Sequence, residues 1–364
     1  MEDRNQDILK QYNVKIYNTY RIRGAFILET DKGLKLLKAL DGSKNRVEFE
    51  NQILQHLSLR NYDTIDQYVL NSQNEIITED TLGNRYIMKN WHQGEEFNLR
   101  DEKDVYESTR NLALIHSLLR DVDIDTEQFE FSGSGSLMDV YEKRNRELKR
   151  VRSYIKDKRK KNDFENCYLA CYEEFYNQAL EATNLLSQVN YVKLEEKAKA
   201  EKHICHGNYT YHNIIKINQS ANTSINVNNV LKIYQPNELL SAAAFQPKRR
   251  NDIATTNFDK AYFGIQIMDL YHFMRKVLEK NEWDVDLGSI IIDTYETIVP
   301  ISDDELRLLH VLFSYPEKFW KISNFYHNSK KSWVPQRNIQ KLLGIQEQMG
   351  EKSEFLRCLL GSIN

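Results

Sequence analysis

Proline is scarce in this chain, with five residues in 364, and glycine is modest at thirteen. That scarcity argues against long linkers and disordered arms. No apolar run approaches the roughly 18 residues of a membrane span. The first residues, Met1-Glu2-Asp3-Arg4-Asn5-Gln6-Asp7, are charged and lack the apolar stretch of a signal peptide, so synthesis in the cytosol is expected. Neither sign of charge dominates: 50 basic residues face 53 acidic ones, a net charge of -3, so no global field points to nucleic acid or to a membrane surface. Cysteine is limited to Cys167, Cys171, Cys205 and Cys358. The four-residue step from Cys167 to Cys171 is not a zinc pattern, and buried free thiols are expected. What is present is ordinary for a soluble globular protein: 41% apolar and 28% charged residues in a chain long enough for one large domain or two of ordinary size.

The most informative stretch covers residues 203–215 and contains His206-Gly207-Asn208-Tyr209-Thr210-Tyr211-His212-Asn213. It reads as a strand, a tight loop opened by Gly207, and a second strand beginning at Ile214. Its spacing is that of a kinase catalytic loop, in which an Asp accepts the proton of the attacking hydroxyl and an Asn five residues later holds magnesium. Asn213 keeps the second position, but position 208 is Asn. A side-chain amide has no basic lone pair for a proton at neutral pH, so the usual base is missing. A polar turn between two strands is the competing reading of the loop alone.

Upstream, residues 13–18, 22–28 and 34–37 alternate like strands, with Asp31-Lys32-Gly33 as a hairpin turn. Ser43 is a good N-cap for a helix carrying Phe49, Ile53, Leu54 and Leu57 at helical spacing. Short strands near 68–70 and 75–78 and a clear one over 85–91 follow. Residues 92–96 read as a turn between two lobes. In a kinase arrangement Lys38 on the third strand would be the phosphate-binding lysine and Glu50 on the next helix its partner. Two surface charges are the plain alternative. No G-x-G-x-x-G exists here. Gly24 alone stands between the first two strands, which leaves phosphate cradling by backbone amides weakly supported.

Downstream, a helix is expected over 101–119, with His116 at the edge of a core. Residues 143–161 hold eleven Lys or Arg against Glu147 and Asp157, with Tyr141, Leu148, Val151 and Ile155 at helical spacing. That segment is either an anion- or partner-docking face or a solvated helix face. Residues 164–186 carry an aromatic face of Tyr168, Tyr172, Phe175 and Tyr176. Residues 216–228 read as a hairpin tip, 230–234 as a strand and 235–253 as an insertion. Asn257-Phe258-Asp259 then stands where a kinase has Asp-Phe-Gly, so the magnesium-binding carboxylate has become an amide at Asn257, with Asp259 two residues on as a shifted substitute. Ser302 with Glu305 forms a capping box, and aromatics at 315–320 and 333 anchor the tail. The whole order predicts an α+β, two-lobed protein-kinase-like fold: a small antiparallel β lobe with one helix over 1–92, and a large, mainly α lobe over 93–364 that carries the catalytic-type loop.

Residues 23–38, 86–91 with Gly94 and Glu95, 112–116, His206-Gly207, His212-Asn213, 269–276 and 315–321, taken in order, resemble the CotS family of bacterial spore coat proteins. That family lies in the aminoglycoside-phosphotransferase and choline-kinase-like branch of the kinase fold. The resemblance implies a sporulating Firmicute, synthesis in the mother cell, deposition in the spore coat, other coat proteins as partners, and a structural or morphogenetic role. Carried over by position, Lys38, Glu50 and Asn213 are retained as nucleotide-site residues, while Asn208 and Asn257 replace the proton acceptor and the metal carboxylate. The expected reading is a degenerate kinase scaffold. ATP and magnesium are the candidate cofactors, with Asn213 and Asp259 as the metal ligands if magnesium binds. The alternative is an active ATP-dependent small-molecule phosphotransferase, for which Asp259 would have to carry magnesium and Asp252 or another carboxylate would have to reach the site. A third reading keeps ATP as a structural ligand or switch.

Overall fold

Residues 16–39 build the first sheet around the buried side chains of β2 and β3. In the computed structural model, which describes residues 7–22, 24–124, 129, 136–217, 252–328 and 335–361, they form an antiparallel meander of β1 (Ile16–Ile22), β2 (Ala25–Thr30) and β3 (Gly33–Ala39). The turn before β3 needs a residue with positive φ, and Gly33 supplies it at 82°. The next helix, α1 (Lys44–Leu59), starts where the sequence predicts, with the Ser43 hydroxyl accepting from the Arg46 amide at 3.2 Å. Its buried stripe is Val47, Phe49, Glu50, Ile53, Leu54 and Leu57. A carboxylate inside an apolar stripe requires a partner. The sheet is completed by β4 (Ile77–Glu79) and β5 (Arg85–Asn90) in the order β1-β2-β3-β5-β4. Ile8, Tyr12, Leu28, Leu37 and Met88 form the core beneath it.

Two local expectations change. Residues 68–70 do not form a strand of their own; Tyr68 makes an isolated bridge to Lys89, and the Val69 amide donates to the Met88 carbonyl at 2.8 Å. Residues 92–96 are not simply a turn, because Gly94–Glu96 is a strand, β6. It pairs with β8 (Ile214–Ile217), which pairs in turn with β9 (Ile253–Thr255). Both partners are more than a hundred residues away, so no local pattern announces them. Gly94 is required by this pairing: a Cβ there would lie 1.8 Å from the Lys216 carbonyl oxygen.

The chain packs as two compact units. The first contains the described residues up to Phe97, Phe129, and those between 210 and 261; the second contains the rest. The three strands β6, β8 and β9 therefore belong with the first sheet's unit, which is not one contiguous stretch as a boundary at 92/93 would make it. The expected hairpin tip beyond Ile217, the strand at 230–234, most of the insertion and Trp333 lie outside the described residues.

The second unit is mainly helical. It contains α2 (Glu102–Leu118), α3 (Leu137–Lys156), α4 (Asp163–Gln188), α5 (Tyr191–Ala200), α6 (Ile267–Leu278), α7 (Val285–Glu296), α8 (Asp303–Ser314), α9 (Glu317–Asn328), α10 (Pro335–Glu347) and α11 (Met349–Gly361), with a two-stranded pair of β7 (Ile204–Cys205) and β10 (Tyr262–Phe263). Ser302 and Glu305 make the reciprocal capping box that the sequence predicts. Tyr141, Leu148, Val151 and Ile155 of α3 are buried, and part of the basic charge around them is satisfied nearby: Arg152 meets Glu173 at 2.5 Å, Lys158 meets Glu165 at 2.6 Å, and Arg144 lies over Trp320 at 4.1 Å. The aromatic face of α4 is core, with Tyr168 stacked on Phe319 at 5.1 Å. Cys171 and Cys205 are buried and Cys167 is half-buried. Cys358 is exposed, because it falls off the stripe that buries Phe355 and Leu359 of α11. Among the described residues no group of three or more His, Cys, Asp or Glu is placed to hold a metal, and no helix is long and apolar enough to cross a membrane.

Candidate functional site

In the first unit Glu50 finds its partner on β5 rather than β3. The Lys89 ammonium lies 2.5 Å from Glu50 Oε1 and 3.0 Å from Asp66 Oδ2, with side-chain exposures of 4%, 3% and 0% for the three residues. The Tyr68 hydroxyl donates to Glu50, and its ring faces the ammonium at 4.6 Å. The register explains why this lysine competes with Lys38. Leu36 stands opposite Lys89 and Lys38 opposite Ile87, so all four share the sheet face that Glu50 meets. Burial pushes the Asp66 carboxyl up to about 6 against the pull of Lys89. Burial also works against the Lys89 ammonium, but Asp66 and Glu50 outweigh it and hold the group charged above its usual range. Asp66 Oδ2 further accepts the Asn257 backbone amide at 3.0 Å, while Asp66 Oδ1 has no hydrogen-bond partner among the described residues.

Lys38 is left to a looser contact. Its ammonium is 3.5 Å from Asp259 Oδ2, and the two side chains are 41% and 37% exposed. Asp259 sits in a single 3-10 turn (Phe258–Lys260), and its carbonyl accepts from Arg46 Nε at 2.6 Å. Asn257 enters that turn in the left-handed region, φ 63° and ψ 57°, a conformation that Asn tolerates better than most residues. There its side-chain amide donates to Asn213 Oδ1 at 2.8 Å, and the Thr256 amide donates to the Asn213 carbonyl at 2.9 Å. Leu36, Lys38, Glu50, Ile87, Lys89, Asn257 and Asp259 line a small cavity.

The kinase fold implies a magnesium ion at these positions. Magnesium demands oxygen ligands in near-octahedral order. Here the Asn257 side-chain amide donates to Asn213 Oδ1, which takes up one lone pair of that oxygen, and neither amide brings the negative charge that a carboxylate would. The remaining carboxylate of the sequence-predicted set, Asp259, is ion-paired with Lys38. This donor set does not fit the metal.

In the second unit the loop is held by a carboxylate that the sequence reading quoted but gave no role. Asp269, in the first turn of α6, accepts the backbone amides of His206 at 2.6 Å and Gly207 at 3.0 Å, and His116 Nε2–H at 3.2 Å. Gly207 has φ 75°, which lets two successive amides point at one carboxylate. His116 is fully buried, beyond the core-edge position expected. Burial lowers its pKa, so the ring is neutral, donates to Asp269 and accepts from the Tyr295 hydroxyl at 2.7 Å. Burial works against the Asp269 carboxylate, but the His116 hydrogen bond and the neighbouring imidazoles of His206 and His272 hold it below its usual range. The Tyr209 hydroxyl anchors the loop's far side on the Ser108 carbonyl at 2.7 Å.

The exposed Asn208 belongs to this second unit, whereas Asn213, Asn257, Asp259, Lys38 and Glu50 belong to the first. Of the sequence-predicted residues, Asn213 meets Asn257 and Lys38 meets Asp259, while Glu50 is claimed by Lys89. Asp252 is exposed beside β9 and does not line the cavity. Lys89, Asp66, Tyr68 and Asp269 escaped the sequence reading. The available signal was a lysine inside the buried run of β5 facing a glutamate inside the buried stripe of α1.

No family model matches the chain. Solved structures do resemble it. An aminoglycoside phosphotransferase from Alicyclobacillus acidocaldarius superposes with a TM-score of 0.79 at 17% identity, over 98% of this chain and 96% of that one. Spectinomycin phosphotransferase, in complex with ADP and spectinomycin, gives 0.63 at 9% identity over 98% of both chains. A microcompartment-associated aminopropanol kinase gives 0.55 at 12% over 99% and 98%. At such identities the likeness carries the fold alone: this chain has the α+β kinase-like fold of these phosphotransferases, with a five-stranded antiparallel sheet in one unit and a mainly helical second unit.

Proposed function

We propose that this chain is a degenerate kinase scaffold with a structural or morphogenetic role in the spore coat, of the CotS type, synthesised in the mother cell and engaging other coat proteins. The carrying observation is the Asn257–Asn213 amide pair at 2.8 Å, at the two positions whose sequence spacing matches a kinase's metal ligands. Loss of a general base by itself lowers rates by about 10²–10⁴-fold. Loss of the metal carboxylate removes the cation that neutralises charge developing between the phosphates. The Lys89–Glu50 pair supports the same reading, because the glutamate that would orient a phosphate-binding Lys38 is engaged elsewhere. The coat assignment itself rests on the sequence resemblance.

Three measurements test the proposal. Thermal melts with millimolar ATP, with and without magnesium, are expected to show no magnesium-dependent rise, whereas a ligand at a hundredfold excess over its Kd would add about 2.7 kcal/mol. Transfer of phosphate from ATP to any small acceptor, lost in Lys38→Ala, would overturn the scaffold reading. A fluorescent fusion followed through sporulation is expected to ring the forespore; uniform mother-cell fluorescence would remove the coat role.

A further inference from the structure

A second cavity lies wholly within the helical unit, and the proposed scaffold role makes no use of it. It opens where α4, the C-terminal end of α6, the α8–α9 turn and the α10–α11 junction converge, and its space, mouth included, is about 470 Å³. Trp283, Phe313, Phe319, Phe175, Ile345 and Met349 supply apolar walls. Among them stand three cations, Arg275, Lys318 and Lys352, and two carboxylates, Glu279 and Glu317. Arg275 and Glu279 are six and ten residues beyond Asp269, so the cavity is roughly 9–15 Å along the helix from the catalytic-type loop.

The carboxylates are already engaged. Glu279 meets Arg275 at 2.6 Å. Glu317 meets Lys321 at 2.5 Å and Arg275 at 3.6 Å, and it accepts the Tyr271 hydroxyl at 2.9 Å. The cations are not all matched. Arg275 is more than nine-tenths buried, and its Nε has no hydrogen-bond partner among the described residues. Lys352 has no carboxylate within ion-pair distance among the described residues; its ammonium faces the Trp283 ring at 5.3 Å. Within the lining three cations (Arg275, Lys318 and Lys352) stand against two carboxylates, which leaves one positive charge in surplus, and Glu317 is further met by Lys321 from outside the lining. Burial draws the Lys352 pKa down to about 8; the Glu279 carboxylate pulls the other way and Arg275 adds to the lowering.

We propose that this cavity binds a small organic carboxylate with an aromatic or branched apolar body, its anionic end facing Lys352 and Arg275 and its body among Trp283, Phe313, Phe319 and Ile345. An apolar cavity with a few convergent polar groups is the usual form of a small-molecule site. The surplus charge selects an anion, and the aromatic walls select what the anion must carry.

The test uses the full chain and sodium phenylacetate, followed by calorimetry, with phenylacetamide as the neutral isostere. Saturable phenylacetate binding is expected, weaker by about tenfold or more for the amide and for Lys352→Met, as the loss of a charged hydrogen bond requires. Ile345→Trp, which fills the cavity and leaves the charges alone, is expected to abolish binding while the thermal melt stays cooperative. Absence of saturation below about 10 mM, a Kd beyond the reach of a designed contact set, overturns the proposal. So does equal affinity for acid and amide, or binding that survives both substitutions. The result is independent of ATP, so it stands or falls apart from the scaffold reading.

Discussion

Replacing Lys89 by Met is the sharpest test of how the first unit is held together. Met keeps most of the volume, so the cavity contribution is small and the electrostatic one dominates. In the native chain one ammonium serves Glu50 and Asp66, both essentially removed from water. Its loss leaves two neighbouring carboxylates without a cation, and breaking a buried pair in this way destabilises by about 3–5 kcal/mol. Lys38→Met removes a cation of the same type from the same sheet face, but from a pair that is more than a third exposed. There the expected loss is about 0.2–1 kcal/mol. The two variants should therefore differ by more than about 2 kcal/mol in urea unfolding. Trp91, directly after β5, can serve as a local probe so that the second unit's transition does not blur the comparison. Lys89→Met combined with Glu50→Gln and Asp66→Asn should recover much of the loss, since a buried charge set replaced as a whole is often close to neutral. If Lys89→Met and Lys38→Met unfold at the same urea concentration with the same slope, Lys89 does not hold Glu50 and the reasoning fails.

Further outcomes are expected. Asp269→Asn should weaken the loop by about 1.5–3 kcal/mol, because two backbone amides lose a charged acceptor; faster hydrogen exchange at His206 and Gly207, with α7 unaffected, is the readout. Asn257→Asp should raise the divalent-cation affinity of the first unit, measured by manganese electron paramagnetic resonance; equal binding by both proteins would contradict the reading that the amide at 257 weakens a metal site. Gly94→Ala should separate β6 from β8 and destabilise by about 2 kcal/mol or more, since overpacking by even one methyl is costly where the obstacle is backbone; a melt of the variant checks it. His203 is held down to about 4 by burial and by the nearby Arg120 cation. The unfolded chain therefore binds more protons between pH 6.5 and 4, so this residue's share of stability is intact above about 6.5 and is lost as pH falls toward 4. Unfolding midpoints across that window should flatten in His203→Gln.

Much of the fold was legible because its signals are local. Alternation gave the β1–β3 meander, Ser43 and Ser302 marked helix starts with their own hydroxyls, and the Tyr141–Ile155 stripe gave the buried side of α3. What escaped depends on residues far apart in the chain. The β6 strand exists only because β8 arrives from more than a hundred residues away. The pairing of Glu50 with Lys89 is decided by strand register, which places two lysines on one face and lets the deeper one win. Asp269 looks like any first-turn helix carboxylate until Gly207 turns the loop amides toward it. Asn208 and Asn257 stand out in the sequence as amides at spacings where a kinase has carboxylates, but that Asn257 grips Asn213 follows only from its left-handed backbone.

Tyr209 and Thr210 are bonded neighbours that belong to different units. A gene fragment ending at residue 97 would encode the five-stranded sheet and β6 but would lack β8, β9, Asn213 and Asn257. Without β8, residues 94–96 would have no strand to pair with and would be left as unpaired backbone. Neither half of this protein is therefore expected to be expressible as a contiguous piece. Complementation of a 1–97 fragment by a separately made 210–261 segment, rather than truncation, is the way to isolate the first unit.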